Sequence, residues 1–262
     1  MPYDPEAVIQ AYTQKAETED ESEKAPSLRV ELPREFIQKY LRPSDIVLDA
    51  GGGTGINALL MAEICQKVTL LDLTPKILQL AQENVHKSPL AEKIELVQGD
   101  ITDLSRFREG QFSFVLCVGD ALSYVLEKRF QAMKELARVA RKGAILLLGC
   151  DSKLGFLRMK LAQGLLEEAL EIDRASECEC GMGPQTHLYT VEEMSHLLRE
   201  EGCEILEIAS TPTLTDTISP LVREVYFQEG EWERLKELER SLCTRPELLG
   251  VGLHLLFVSR KK

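Results

Sequence analysis

The period of the apolar positions changes along this chain, and the changes mark its elements. Between about 46 and 148, short apolar runs alternate with stretches whose apolar residues recur every three or four positions. The runs predict strands over 46–48, 68–71, 94–97, 112–117 and 144–148. Between them, Leu59, Leu60, Ala62 and Ile64 mark one helical stretch through about Gln66, and Ile77, Ala81 and Val85 the apolar face of a second. Phe130, Met133, Leu136, Ala137 and Ala140 give a third, in a helix of about 127–141. Pro75 stands where a first helical residue belongs, with Thr74 as its N-cap. Strands and helices thus alternate, and the strands are too apolar to leave a face in water. That pattern predicts an α/β fold with a parallel sheet covered on both faces.

The flanks read differently. Val8, Ile9 and Tyr12 have helical spacing, and the acidic run Glu17, Glu19, Asp20, Glu21, Glu23 reads as a solvated segment after a short helix. A second helix is expected over about 31–41, with Leu32, Phe36, Ile37 and Tyr40 on one face and Pro43 stopping it. After 150, an insertion over 151–187 reads as one helix of about 153–171. A loop holding Cys178, Cys180, Gly181, Gly183 and Pro184 follows. Thr190 and Glu193 form a capping box for a helix ending near Gly202. A sixth strand is expected over 203–209, a second insertion over 211–245 with a charged helix around 229–242, and a closing strand over 252–258. The whole reads as a single domain: an N-terminal helical lid (1–44), a ligand-binding core (45–150), and two substrate-side insertions (151–187 and 211–245).

Composition narrows the function classes. The chain has 262 residues and a net charge of −12, which repels phosphate backbones and makes nucleic acid an unlikely partner. No apolar stretch approaches the ~18 residues of a membrane span, so no membrane partner is expected. The opening MPYDPEAVIQ lacks the basic and apolar regions of a secretory leader. Seven scattered cysteines without a C-x-x-C fit reduced thiols in a cytoplasmic chain, and Cys178 with Cys180 are too few to close a metal site. No metal is expected, and the oligomeric state is left open.

The segment Asp49-Ala50-Gly51-Gly52-Gly53-Thr54-Gly55 carries the most chemistry. A strand runs into a glycine turn that opens a helix, so a ligand can approach the backbone without a Cβ in the way. The dinucleotide fingerprint needs a glycine at 56, where this chain has Ile56. Asp72, seventeen residues past Gly55, ends the second strand and can accept both ribose hydroxyls of an adenosine. Gly99-Asp100-Ile101 ends the third strand, where Asp100 can accept from an adenine amine, Ile101 can offer its backbone N–H, and Leu73 can pack on the ring. Three successive strand ends therefore suit one adenosine.

In these motifs the chain resembles the class I S-adenosylmethionine-dependent methyltransferases, most closely the UbiE/BioC-like small-molecule branch. Asp49 to Gly55 is similar to that family's first motif, Asp72 to its ribose-binding acid, and Gly99-Asp100-Ile101 to its adenine contact. Cys117-Val118-Gly119-Asp120 resembles the fourth motif, which lines the sulfonium and the substrate. The resemblance implies a Rossmann-like, doubly wound, seven-stranded sheet of order 3-2-1-4-5-7-6 with the last strand antiparallel, plus helical insertions. It implies S-adenosylmethionine as cofactor, held by Tyr12, Arg29, Asp49, Ala50, Gly51, Gly53, Asp72, Leu73, Asp100, Ile101, Cys117 and Val118.

The expected reaction is in-line attack of a small-molecule nucleophile on the sulfonium methyl. The cofactor carries the reactivity, so no fixed catalytic residue is required. Where the acceptor must lose a proton, Asp120, Tyr124 and His187 are the catalytic candidates. His254, within the last strand, reads as structural. Three other readings stand beside this one: a methyltransferase acting on a protein or tRNA, a nicotinamide-dependent oxidoreductase, and a non-catalytic cofactor-binding protein. Ile56 and the Gly99-Asp100 element oppose the oxidoreductase.

Overall fold

A computed structural model describes residues 2–25, 27–179, 184–215 and 230–262. The core elements are β1 (Ile46–Ala50), α3 (Ile56–Ile64), β2 (Lys67–Asp72), α4 (Pro75–His86), β3 (Ile94–Gln98), β4 (Phe112–Cys117), α5 (Ala121–Tyr124), α6 (Arg129–Val139) and β5 (Ala140–Asp151). Helices α1 (Pro5–Lys24) and α2 (Leu28–Tyr40) precede them. After them come α7 (Lys153–Ala162), α8 (Leu166–Ala175), β6 (Glu177–Glu179), β7 (Gln185–His187), α9 (Val191–Glu200), β8 (Cys203–Thr211), α10 (Glu231–Leu242) and β9 (His254–Lys261).

Seven strands make one sheet in the order β3-β2-β1-β4-β5-β9-β8. With β8 and β9 counted as its sixth and seventh strands, this is the order the family resemblance implied. β1 to β5 pair in parallel, and β9 runs antiparallel to both β5 and β8. All six residues of β4 are buried, as a central strand covered on both faces requires. Side chains alternate between two cores: Leu48, Val115, Leu146 and Phe257 face α6 and α9, while Val47, Leu70, Phe114 and Leu147 face α2, α3 and α4. The carboxyl ends of β1 to β5 therefore share one edge, the usual ligand-binding edge of such sheets.

The flanks correct three expectations. The N-terminus is one 20-residue helix, not a short helix with a solvated tail. Asp4 caps it by accepting from the Glu6 and Ala7 N–H groups at 3.0 and 3.3 Å. Its acidic run docks on α4, where Asn84 Nδ2 donates to Asp20 Oδ1 at 2.8 Å and Lys76 pairs with Glu17 at 3.2 Å. Glu19 and Glu23 are four residues apart, so they share the inward face while Glu17 and Glu21 stay exposed.

The predicted 153–171 helix is two, α7 and α8, broken at Gly164, whose φ of +77° a helix does not accept. The expected loop near Cys178 is in part a hairpin of β6 with β7, and Cys180 lies outside the described residues. The helix N-cap at Thr190 is as expected, its Oγ1 accepting from Glu193 N at 3.1 Å.

Candidate active site

The turn after β1 is locked to β2. Gly51 N and Gly52 N both donate to the Leu71 carbonyl, at 2.7 and 3.0 Å. Gly51, Gly53 and Gly55 have φ values of +73°, +57° and +86°. A side chain at 51 would also meet Ala121 Cβ at 2.7 Å. The turn therefore presents backbone rather than Cβ atoms of its own to the cleft, with Glu23 Oε1 lying over Gly53.

Asp72 closes the turn from the other side. Its Oδ2 accepts from Gly53 N at 3.1 Å and its Oδ1 from Thr74 N at 2.9 Å. Burial pushes its carboxyl up to about 6, although the Thr74 and Gly53 N–H groups oppose the rise. Asp49 is 2% exposed and its Oδ2 has no hydrogen-bond partner. Burial, then Glu23 and Asp72, push its carboxyl up to about 8. At the end of β3, Asp100 accepts from Thr102 N through Oδ1 and from the Tyr3 hydroxyl through Oδ2, both at 2.8 Å.

α1 roofs this cleft. Tyr3, Tyr12, Glu19 and Glu23 line it together with Gly51, Gly53, Asp72, Leu73, Asp100 and Ile101. Glu23 accepts from Thr54 Oγ1 at 2.6 Å, and burial raises its carboxyl to about 7. Tyr12 meets Tyr124 edge to face, with ring centroids 5.7 Å apart at 85°. Burial and then Asp120 raise the Tyr12 hydroxyl well above its ordinary value.

A second cleft adjoins the first and shares Glu19, Glu23, Arg29, Gly51, Val118 and Gly119 with it. Asp120, after β4, accepts from Arg29 Nη2 at 3.1 Å. Burial opposes its ionisation, but Arg29 and then His254 hold its carboxyl below the usual value. His254, the first residue of β9, faces Asp151, the last of β5, across the antiparallel pair. Its Nδ1 lies 3.2 Å from Asp151 Oδ1 and 3.6 Å from Asp120 Oδ1.

The structure thus brings Tyr12, Arg29, Gly51, Gly53, Asp72, Leu73, Asp100, Ile101, Val118, Asp120 and Tyr124 to the first cleft, and Asp49 to the second. Ala50 and Cys117 are fully buried in the sheet and line neither cleft. His187 lies apart as well. It is 5% exposed, its Nε2 is 2.9 Å from Glu193 Oε1, and its ring packs edge to face on Tyr189. The predicted insertion helix did not reveal that β7 turns this ring into a packed layer with α9.

The sequence reading missed Tyr3, Glu19, Glu23, Asp151 and His254. The acidic residues were hidden in a run that resembles a solvated face. The Asp151–His254 pair depends on the register of two distant strands.

Among known proteins, residues 48–148 match the family model described as "Methyltransferase domain". The chain is 30% identical over 126 residues to the ribosomal protein L11 methyltransferase of Thermosipho africanus, covering 47% of this chain and 45% of that protein. It is 24% identical over 220 residues to the tRNA 5-carboxymethoxyuridine methyltransferase of Escherichia coli O157:H7, covering 82% of this chain and 79% of that protein. A SAM-dependent methyltransferase structure from Methanosarcina mazei superposes with a TM-score of 0.61 at 21% identity, covering 86% of this chain and 96% of that one. The chain spans less than half the length of the first curated relatives it matches.

The glycine cradle, the unpartnered Asp49 oxygen and the strand-end acids Asp72 and Asp100 fit an adenosine-bearing cofactor with a cationic end. Family model, sheet order and cradle agree, and residues 48–148 are a methyltransferase domain of the class I, S-adenosylmethionine-dependent family.

Proposed function

We propose that this chain transfers the methyl group of S-adenosylmethionine to a small-molecule acceptor. When bound, that cofactor supplies an electrophilic methyl carbon on a sulfonium. The protein's part is to hold, orient and desolvate. Asp72 takes the ribose hydroxyls, Asp100 and Ile101 the adenine, and the turn from Gly51 to Gly53 the amino-acid end, with Tyr12 and Arg29 covering it. Asp120 and Tyr124 stand on the acceptor side, where each can take a hydrogen bond from the attacking atom's proton.

The observation that carries the small-molecule reading is the charge of the two clefts. Their lining holds Glu19, Glu23, Asp49, Asp72, Asp100 and Asp120 against Arg29 and Arg34. Even with the raised Asp49 and Glu23 carboxyls protonated, four acids stand against two guanidiniums, which repels a phosphate backbone and leaves room for a compact neutral or cationic acceptor.

A second reading is a tRNA acceptor. It is favoured by the Escherichia coli relative, which is a tRNA methyltransferase and whose match spans most of both chains. Methyl-labelled cofactor incubated with a metabolite extract, total tRNA and total protein separates the two. Label in the small-molecule fraction alone supports the proposal, label in tRNA or protein replaces it, and no label in any fraction despite cofactor binding favours a non-catalytic binding protein.

A further inference from the structure

We infer that Asp120, Asp151 and His254 form a site for one divalent cation on the acceptor side of the cleft. Three atoms converge there: Asp120 Oδ1, Asp151 Oδ1 and His254 Nδ1, all within 4.8 Å of one another. Each is buried and has no hydrogen-bond partner. His254 Nδ1 lies 3.2 Å from Asp151 Oδ1 and 3.6 Å from Asp120 Oδ1, so the three atoms face one another at close range. Asp151 has a side chain only 3% exposed, so its bare oxygen has no solvent to turn to.

The other oxygen of each carboxylate is occupied. Arg29 Nη2 donates to Asp120 Oδ2 at 3.1 Å, and Thr186 Oγ1 donates to Asp151 Oδ2 at 3.0 Å. Arg29 and Thr186 thus fix both carboxylates with the free oxygen turned inward, as outer groups do around metal ligands. The Asp151 backbone is held too, its N–H donating to Ser123 Oγ at 2.9 Å.

Spacing distinguishes an ion from an ammonium group. Ligands about 2.1–2.2 Å from an octahedral ion stand about 3.0 Å apart when adjacent. Ligands around an ammonium nitrogen, at about 2.8 Å with tetrahedral angles, stand about 4.6 Å apart. The distances from His254 Nδ1, 3.2 and 3.6 Å, fit the ion. Two carboxylates and one imidazole suit a cation of intermediate hardness such as Mn2+. Asp120 and His254 line the two adjoining clefts, which gives the ion an entry path.

Three protein ligands leave about three octahedral positions open, room for an acceptor that brings oxygen donors. Coordination lowers the pKa of a bound hydroxyl and holds it for attack. This use of the ion rests on the methyl-transfer reading, whereas its binding rests on the cluster alone.

The test is Mn2+ titration of the chelator-stripped full chain, followed by electron paramagnetic resonance, with S-adenosylhomocysteine binding measured on the same samples. One bound Mn2+ per chain is expected. Asp151→Asn and His254→Gln should each weaken it at least ~10-fold, with Thr186→Val as a milder variant that weakens it less. S-adenosylhomocysteine affinity should stay within about threefold in all of them. No bound Mn2+ up to about 1 mM, with S-adenosylhomocysteine still bound, overturns the site and leaves the cofactor reading standing. Mn2+ binding that is unchanged in both ligand variants places the ion elsewhere and also overturns it. Loss of S-adenosylhomocysteine binding by the unaltered chain would count against the cofactor reading instead.

Discussion

Asp72 accepts the backbone N–H of Gly53 at 3.1 Å, so the acid ending β2 and the glycine turn after β1 are one unit. The carboxylate that would hold a ribose also sets the turn. A second oxygen held by Thr74 N at 2.9 Å fixes its plane.

Removing that carboxylate should therefore affect binding and stability together. Asp72→Ala gives up hydrogen bonds to a charged acceptor worth about 1.5–3 kcal/mol each. S-adenosylhomocysteine affinity is expected to fall at least ~10-fold by calorimetry. The ligand-free melting temperature should also drop, because two backbone donors lose their acceptor. An affinity equal to wild type would remove Asp72 from the site.

The acids of the cleft predict a pH dependence with a definite sign. Asp72 is raised from 3.8 to about 6, Glu23 from 4.5 to about 7, and Asp49 from 3.8 to about 8. An acid raised on folding contributes stability below its unfolded pKa and loses it as pH climbs through the folded value. The ligand-free protein should thus lose stability from about pH 4.5 to pH 8 through these groups. Glu23→Gln should melt above wild type at pH 8 and close to it at pH 4.5. A difference of about 1–3 kcal/mol is the scale expected. A variant no more stable at pH 8 than at pH 4.5, relative to wild type, would contradict the burial of this carboxylate.

Two glycines with similar backbones should respond differently to alanine. Gly51 and Gly119 have φ of +73° and +81°, and each substitution carries the left-handed penalty of about 1–2 kcal/mol. At 51 the new Cβ also meets Ala121 Cβ at 2.7 Å, whereas at 119 it meets nothing within 4 Å. Gly51→Ala should lower the melting temperature further than Gly119→Ala and weaken S-adenosylhomocysteine. Equal losses in both would remove steric crowding as the reason for glycine at 51.

His187 is expected to act on stability rather than on turnover. Its Nε2 faces Glu193 Oε1 at 2.9 Å, and Arg129 Nε donates to the same oxygen at 3.0 Å. His187→Ala should cost about 1–3 kcal/mol by leaving this half-buried network short of a partner. Transfer per folded molecule should stay near wild type, and a fall of ~100-fold in kcat with an intact fold would restore a catalytic role.

The sequence made legible what depends on neighbours along the chain. Thr74 before Pro75, the apolar runs, and the acid–glycine motif from Asp49 to Gly55 are local signals, and the strands and turn lie where those signals put them. Asp72 and Asp100 were readable because they end strands. Distant pairing was not readable. His254 meets Asp151 only through the β5–β9 register, and nothing in either flanking sequence states that register. Glu19 and Glu23 were missed for a different reason. An acidic run on a helix is ordinarily solvated, and only the docking of α1 on α4 turns one face of it inward. Gly164 was visible in the sequence, but its effect depends on its left-handed backbone at the end of α7.

Binding of the sulfur nucleoside of methyl transfer in this cleft underlies every role given to its residues. It is tested most directly by thermal unfolding of the full chain with S-adenosylmethionine, S-adenosylhomocysteine and NAD in parallel. A ligand at ~100 times its Kd adds about 2.7 kcal/mol, which is several degrees for a chain of this size at roughly 2–4 °C per kcal/mol. Such a shift is expected with the two sulfur compounds and none with NAD. A shift with NAD alone, or no shift with either sulfur compound at saturating concentration, would contradict it.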